Sequence, residues 1–234
     1  MTTKIILCTL LITWCLVQWS LARPTSSNED YLKNHDLCHQ RNQYAAMAPA
    51  EKDSKLPASV QLLKMTLYTL QDITLTYATK AKTISELMLK DPALKENHSN
   101  EVEEFQKKIE QFLEKYSACS DMQELFKLVE YYSTFSSHYY EMEEKKNLSA
   151  NAKVILDVLK KYGSQEMDDE FAKSFNEFVS NFSKKFDELE EDLKGEKGTV
   201  GDKIVQWWNR VKNLKTYDEK MEAFAEYVKL YEEN

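Results

Sequence analysis

Apolar residues recur every three or four positions in a long stretch near the start of the chain, residues 57–90. This spacing places the apolar side chains on one face of an α-helix. The apolar face is unusually wide, because the polar residues fall on one narrow strip: Gln61, Lys64, Gln71, Asp72, Thr79, Lys82, Glu86 and Lys90. A helix that is apolar around most of its circumference is normally buried on several sides. The pattern therefore predicts that residues 57–90 form the central helix of a helical bundle.

The rest of the chain carries narrower apolar stripes of the same helical period, beginning with a weak one over about residues 30–47. The strongest stripe lies between residues 164 and 195 and consists of Phe171, Phe175, Phe178, Phe182, Phe186, Leu189 and Leu193. No segment alternates apolar and polar residues with the period of a strand, and the chain has only four glycines and four prolines. We predict an all-α fold, a multi-helix bundle of about seven or eight helices around the central helix at 57–90.

Several helix ends are predicted from local sequence. A capping box pairs a small polar N-cap residue with a glutamate or glutamine three positions later. We assign three such pairs to predicted helix starts: Asn100 with Glu103, Ser120 with Gln123, and Thr216 with Glu219. Ser149 and Ser164 are further predicted N-caps, and Gly163 is predicted to end the helix before it, because glycine readily adopts the left-handed conformation found there.

The first 22 residues have the features of a secretory signal peptide. Lys4 precedes a short apolar run over residues 5–17, and Ser20 and Ala22 stand at positions −3 and −1 of a cleavage site. The alternative is an uncleaved membrane anchor, but the run is shorter than the roughly 20 residues that a spanning helix needs. We therefore expect residues 1–22 to be removed on export and the protein to be extracellular.

Residues 23–234 are expected to form a single secreted all-α domain, with a weak subdivision near residues 146–165. Without Lys4 this part of the chain has 30 basic and 39 acidic side chains. An acidic protein without a basic cluster is a poor ligand for nucleic acid or for an anionic membrane surface. We expect neither as a partner, and we expect no membrane span after the signal peptide.

The acidic run at residues 168–170 stands near the predicted start of a helix, where negative charge is favourable. Calcium sites need oxygens wrapped by a turning loop, which this run does not offer. We interpret the run as a solvated surface.

Two cysteines remain after the predicted cleavage, Cys38 and Cys119. In an oxidising compartment two cysteines most simply form one disulfide. The bond would close a loop of about 80 residues and stabilise the fold by roughly 4 kcal/mol on the chain-entropy estimate. Two free thiols, or a bond to another chain, are the alternatives.

The chain has few residues suited to catalysis or metal binding. Its four histidines are His35, His39, His98 and His138. Motifs of serine hydrolases, zinc proteases, phosphate-binding loops and dinucleotide-binding folds are all missing from the sequence. A zinc or copper site on His35, Cys38 and His39 would have no clear fourth ligand and would compete with the disulfide. We predict a protein that is not an enzyme and that has no metal and no cofactor.

Three sequons for N-glycosylation occur, at Asn97, Asn147 and Asn181. The first two fall in predicted loops between helices. Asn181 falls in the middle of a predicted helix beside Phe182 of the apolar stripe. It is therefore the least favoured of the three.

Aromatic residues beside the predicted core stripes are candidates for contacts with a partner or ligand. Tyr132 and Tyr139 fit the stripe of their helix, whereas Tyr131 and Tyr140 are displaced from it. Trp208 likewise stands beside the stripe of its own helix. Partly exposed tyrosine and tryptophan are typical of protein interfaces and of apolar pockets. The alternative is that these residues belong to wide apolar faces that pack against two neighbouring helices.

Together these features predict a secreted, N-glycosylated, non-catalytic helical protein that binds a partner protein outside the cell. The alternative is a carrier that holds a small hydrophobic ligand or lipid between the central helix and the phenylalanine stripe. Ten phenylalanines could line such a cavity, although closely packed cores more often fill the space completely.

Overall fold

A computed structural model describes residues 56–196 and 200–231. These residues form eight α-helices and no strands, which confirms the prediction of an all-α bundle. The helices are α1 (Ala58–Met88), α2 (Pro92–Lys95), α3 (Asn100–Ala118), α4 (Met122–Glu144), α5 (Ala150–Lys161), α6 (Ser164–Gly195), α7 (Val200–Val211) and α8 (Tyr217–Lys229). The predicted signal peptide and the predicted helix at 30–47 lie outside the described residues.

Two long antiparallel helices, α1 and α6, form the centre of the bundle and share its most extensive helix contact. At one end of the pair, the backbone N–H of Ser59 donates to Glu196 Oε1 at 3.3 Å. Toward the other end, the Tyr77 hydroxyl donates to Asp168 Oδ1 at 2.7 Å. The chain therefore runs in opposite directions in the two helices.

The remaining helices pack at the two ends of this pair. Helices α3, α4 and α5 pack against one another, and α3 and α4 also contact α1. Helices α7 and α8 contact each other, and α7 packs on both α6 and α1. Gly201 allows α7 to start close to the end of α6, since a Cβ there would stand 2.7 Å from the carbonyl oxygen of Leu193.

Helix α1 is central, as its wide apolar face predicts. Leu62, Ala78 and Met88 have no exposed surface. The side opposite the core is less uniformly polar than the sequence suggests, because Tyr68 is 48% exposed and Leu87 is 42% exposed. The narrow polar strip is therefore not the only exposed part of α1.

The phenylalanine stripe of α6 is packed against aromatic residues of α7 and α8. The Phe182 ring lies 5.0 Å from the Phe224 ring, 5.1 Å from the Trp208 ring and 5.3 Å from the Tyr227 ring, measured between centroids. Most of these contacts are edge-to-face, the arrangement that aromatic rings prefer. Side chains of α7 and α8 therefore cover the phenylalanine stripe.

Three of the predicted helix ends are confirmed. At the start of α8, Thr216 Oγ1 accepts from the backbone N–H of Glu219, whose side chain accepts from the backbone N–H of Thr216, so the capping box is complete. Ser149 Oγ accepts from the backbone N–H of Ala152 and caps α5. Gly163 ends α5 in the left-handed region, with φ of +80°.

Three other predicted caps are wrong. The residue before Asn100 is the N-cap of α3, and it makes no side-chain capping bond. The N-cap expected at Ser120 is displaced by one residue, since Asp121 caps α4 and accepts from the backbone N–H of Glu124. Ser164 is the first residue of α6 and does not precede it.

None of the helices in the described ranges combines the length and the apolar character required to cross a membrane.

Candidate functional site

Trp208 belongs to the core and is only 4% exposed. Its ring contacts Phe182 and Phe186 of α6. The adjacent Trp207 turns toward α8, where its Nε1–H donates to the carbonyl oxygen of Ala223 at 3.0 Å. Helix α7 is therefore buried on two sides. The prediction of Trp208 as a contact for a protein partner is not supported, because its side chain does not reach the surface.

Tyr131 lies at the surface between α3 and α4 and is partly exposed. Its hydroxyl donates to Gln111 Oε1 at 2.8 Å, and Lys115 Nζ lies 4.4 Å from the centre of its ring. The ring also packs edge-to-face with Phe135. Two helices thus hold the Tyr131 ring in one orientation while part of it faces solvent.

Tyr140 points inward instead. Its hydroxyl is buried and has no hydrogen-bond partner of normal geometry among the described residues. Burial and then the nearby charge of Asp168 raise the pKa of the Tyr140 phenol to about 12, while the Ser164 hydroxyl acts in the opposite direction. Tyr140 therefore belongs to a polar cluster inside the protein.

This cluster, here called the Asp168 cluster, is built from three helices and consists of Tyr77, Tyr132, Ser133, Tyr140, Ser164 and Asp168. Helical spacing brings its members together. Ser164 and Asp168 are four residues apart on α6, and Ser133 and Tyr140 are seven apart on α4, so each pair shares one helix face. Tyr77 completes the cluster from α1.

Asp168 carries the carboxyl group of the cluster, and its pKa is strongly perturbed. Burial raises its pKa to about 6, although the hydrogen bond from Tyr77 acts in the opposite direction and Asp169 adds to the increase. Burial, and then the Asp168 charge, also hold the pKa of Tyr77 well above its ordinary value. A carboxylate in such a setting is costly unless a cation or further donors compensate it.

The hydroxyl groups around Asp168 are incompletely hydrogen-bonded. Ser133 is fully buried, and its hydroxyl has no partner of normal geometry in the described part of the chain. It lies near enough to the Tyr77 phenol to lower the pKa of that group. The hydroxyls of Tyr132 and Ser164 are 3.5 Å apart, which is long for a hydrogen bond. Unpaired buried hydroxyls are uncommon and call for an explanation.

The sequence analysis assigned the acidic run at 168–170 to a solvated surface, and for one residue this is wrong. Asp169 and Glu170 are exposed, whereas Asp168 is partly buried and bonded to Tyr77. The Tyr77–Asp168 hydrogen bond joins residues 91 positions apart. The only sequence signal for it is that Tyr77 and Asp168 lie on the two helices with the strongest apolar patterns.

The sequon asparagines differ in their surroundings. Asn147 is exposed in the loop after α4, and Asn181 is exposed in the middle of α6. Asn97 is partly buried, and its side-chain nitrogen, the atom that would carry a glycan, donates to Asn151 Oδ1 at 3.2 Å. Asn147 is the most accessible loop site, and glycosylation of all three stays a prediction.

Cys119 lies just after α3 and is buried, with its thiol donating to the carbonyl oxygen of Asp121 at 3.5 Å. Cys38 lies outside the described residues, so the Cys38–Cys119 disulfide stays a prediction. The same holds for the alternative metal site that includes His35 and His39. Within residues 56–196 and 200–231, no three His, Cys, Asp or Glu side chains are grouped to hold a metal ion.

Comparison of the chain with protein-family models, with curated proteins and with solved structures finds no match.

Proposed function

We propose that this protein is a secreted, N-glycosylated, non-catalytic helical protein that acts by binding another protein outside the cell. The observation that carries the proposal is the placement of Tyr131. Of the three candidate aromatic residues, Trp208 is buried and Tyr140 has a buried hydroxyl, whereas the Tyr131 ring is partly exposed and its hydroxyl is held by Gln111.

Tyr131 has the properties of an interface anchor. Tyrosine is enriched among the residues that dominate binding energy, because its ring offers apolar area and its hydroxyl a polar contact. Gln111, Lys115 and Phe135 already fix the ring. Little side-chain entropy would therefore be lost when a partner covers it.

The proposed export rests on the sequence of residues 1–22, and the proposed glycosylation rests on the sequons. An exposed Asn147 in a loop suits attachment of a glycan. A glycan at that position would leave Tyr131, which lies more than three helical turns before the end of α4, free to contact a partner.

The alternative of a carrier for a hydrophobic ligand has less support. Its binding space was expected between α1 and the phenylalanine stripe of α6. Phe175, Phe178 and Phe182 are at most 1% exposed, and their rings contact one another and rings of α7 and α8. Side chains of the protein occupy the positions that an apolar ligand would take.

A capture experiment tests the partner-binding proposal. Wild-type protein, Tyr131→Ala and Tyr68→Ala are immobilised and exposed to the extracellular fluid of the source tissue. Tyr68 is the matched control, because it is an exposed tyrosine on a different helix, α1. We expect a protein that is retained by the wild type and by the Tyr68 variant and is lost from the Tyr131 variant. Circular dichroism verifies that each variant is folded. Equal retention of the captured protein by all three folded proteins would contradict the proposed role of Tyr131.

A further inference from the structure

We infer that the surface around Tyr131 binds an acidic segment of a partner protein, through exposed lysines that surround the tyrosine ring. This inference rests on the proposed function and names the chemistry of the partner that the surface takes.

Three lysines surround Tyr131 on one face of the α3–α4 pair. On α3, Lys108 and Lys115 lie one helical turn before and after Gln111. The Gln111 side chain accepts the hydrogen bond from the Tyr131 hydroxyl. On α4, Lys127 lies one turn before Tyr131 itself. All three lysines are exposed, and Lys115 Nζ is 4.4 Å from the centre of the Tyr131 ring. The folded protein therefore places three ammonium groups around a partly exposed aromatic ring.

The charges of these lysines are not neutralised by the neighbouring helices. Within residues 56–196 and 200–231, no carboxylate forms an ion pair with Lys108, Lys115 or Lys127. Lysines elsewhere in the bundle do form such pairs, as Lys160 does with Glu143 at 2.7 Å. A carboxylate of a partner can therefore pair with any of the three without displacing a carboxylate of this protein.

The acidic residues nearest to this surface are at its edges, and they are Glu104, Glu114, Glu124 and Glu130. Glu114 and Glu130 each directly precede a residue of the surface, so they are rotated by about 100° from it around the helix. The Glu124 carboxylate accepts from the backbone N–H of Ser120 at 2.8 Å, at the start of α4. Glu104 lies one turn before Lys108 and marks the end of the surface. The positions around the ring itself carry positive charge, which favours an anion.

The hydrogen-bonding groups of the surface match carboxylates. Lysine ammonium groups are donors only, and ionised carboxylates are acceptors only. Gln111 uses its carbonyl oxygen for Tyr131 and keeps its amide nitrogen as a further donor. The partly exposed ring adds apolar area for a neighbouring apolar or aromatic side chain. A segment with acidic residues on both sides of an aromatic residue therefore fits this surface.

A long polyanion such as a sulfated polysaccharide fits less well. Residues 23–234 have 39 acidic and 30 basic side chains, so the protein as a whole repels an anion that extends beyond the surface. The three lysines are also far apart in the sequence and do not form a basic run. The packing of α3 against α4 brings them together, as the 5.1 Å between the Phe112 and Tyr132 rings shows.

Fluorescence anisotropy with two labelled peptides tests the inference. The acidic probe is the heptapeptide Glu-Asp-Glu-Phe-Glu-Asp-Glu, and the matched neutral probe is Gln-Asn-Gln-Phe-Gln-Asn-Gln. At about 50 mM sodium chloride we expect the wild-type protein to bind the acidic peptide about tenfold more tightly than the neutral one. At about 500 mM this preference should largely disappear, because salt screens exposed ion pairs.

Two triple variants with the same net charge locate the binding surface. Lys108→Glu, Lys115→Glu and Lys127→Glu together should abolish the preference for the acidic peptide. The control combines Lys153→Glu, Lys173→Glu and Lys184→Glu, three exposed lysines of α5 and α6, and should keep most of it. Circular dichroism verifies that both variants are folded.

Equal affinity of the folded wild-type protein for the two peptides would overturn the inference, as would an equal loss of preference in the two triple variants. Heparin that binds the wild type more tightly than the acidic peptide does would assign the surface to a sulfated polysaccharide instead. A wild-type dimer in analytical ultracentrifugation that the Lys108, Lys115 and Lys127 variant lacks would assign it to a second copy of the chain. Each of these results leaves the proposed function standing if Tyr131→Ala still loses the captured protein, whereas retention of that protein by Tyr131→Ala contradicts the proposed function itself.

Discussion

Replacing Asp168 by asparagine is expected to stabilise the protein at neutral pH. Asparagine has nearly the same shape as aspartate, and its carbonyl oxygen can still accept the hydrogen bond from Tyr77. The substitution removes the negative charge that burial disfavours. It also adds an N–H donor to the Asp168 cluster.

The magnitude follows from the pKa of Asp168. Burial raises this pKa from an ordinary value of 3.8 to about 6. The folded protein therefore binds the proton more tightly than the unfolded chain, so ionisation of Asp168 destabilises the fold above about pH 6. At 1.36 kcal/mol per pH unit, the full effect is about 3 kcal/mol at neutral pH, and it disappears as the pH falls from about 6 to 4. The pKa of about 6 already includes the hydrogen bond from Tyr77. An asparagine amide whose N–H is imperfectly hydrogen-bonded costs about 1 kcal/mol, which leaves a net gain of about 2 kcal/mol.

Urea unfolding followed by circular dichroism measures this difference. At about pH 7.5 Asp168→Asn should be more stable than the wild type by about 2 kcal/mol, and at about pH 4 the two proteins should be within about 1 kcal/mol of each other. Asp169→Asn, which changes an exposed carboxylate, should stay within about 0.5 kcal/mol of the wild type at both pH values. A destabilised Asp168→Asn variant, or a difference that does not depend on pH, would refute the reasoning.

Other substitutions test the fold and the predicted modifications. Leu70→Asp should unfold the domain, because it places a carboxylate at a position only 6% exposed, whereas Tyr68→Asp on the exposed side of α1 should leave the far-ultraviolet circular dichroism spectrum unchanged. Trp208→Ala should lower the free energy of unfolding by about 3–5 kcal/mol in urea titrations, and a variant as stable as the wild type would show that Trp208 is not a core residue. Asn147→Gln should reduce the mass of the secreted protein by one glycan, whereas Asn181→Gln should leave the mass unchanged. The reverse result would show that a position in the middle of a helix does not prevent glycosylation of this protein.

The parts of the fold that depend on local sequence were predictable. The apolar periodicity of α1 and the phenylalanine stripe of α6 are properties of single segments, and they identify both helices and their buried faces. Gly163 ends α5 because few other residues adopt a φ of +80°. Exact N-caps were less predictable, since Ser120 and Asp121 are both good capping residues and the sequence does not decide between them.

The burial of Trp208 and Asp168 could not be predicted, because it depends on which helices pack together in the folded protein. The sequence of α7 shows one apolar stripe, but the helix packs on α6 and α8 at once. Trp207 therefore contacts rings of both α6 and α8, and Trp208 contacts rings of α6. Asp168 belongs to an acidic run that resembles a solvated surface. Only the antiparallel pairing of α1 with α6 brings it to Tyr77, and a single sequence contains no direct signal for that pairing.

Hydrogen–deuterium exchange of the protein with and without its captured partner most directly tests the claim that it acts by binding through the surface around Tyr131. This surface is centred on Tyr131 of α4 and on Gln111 and Lys115 of α3, which lie in the segments 107–115 and 127–138. The account predicts that the partner slows exchange in peptides from these two segments and leaves α7 and α8 unchanged. Protection confined to other helices, with α3 and α4 exchanging as in the free protein, would contradict it.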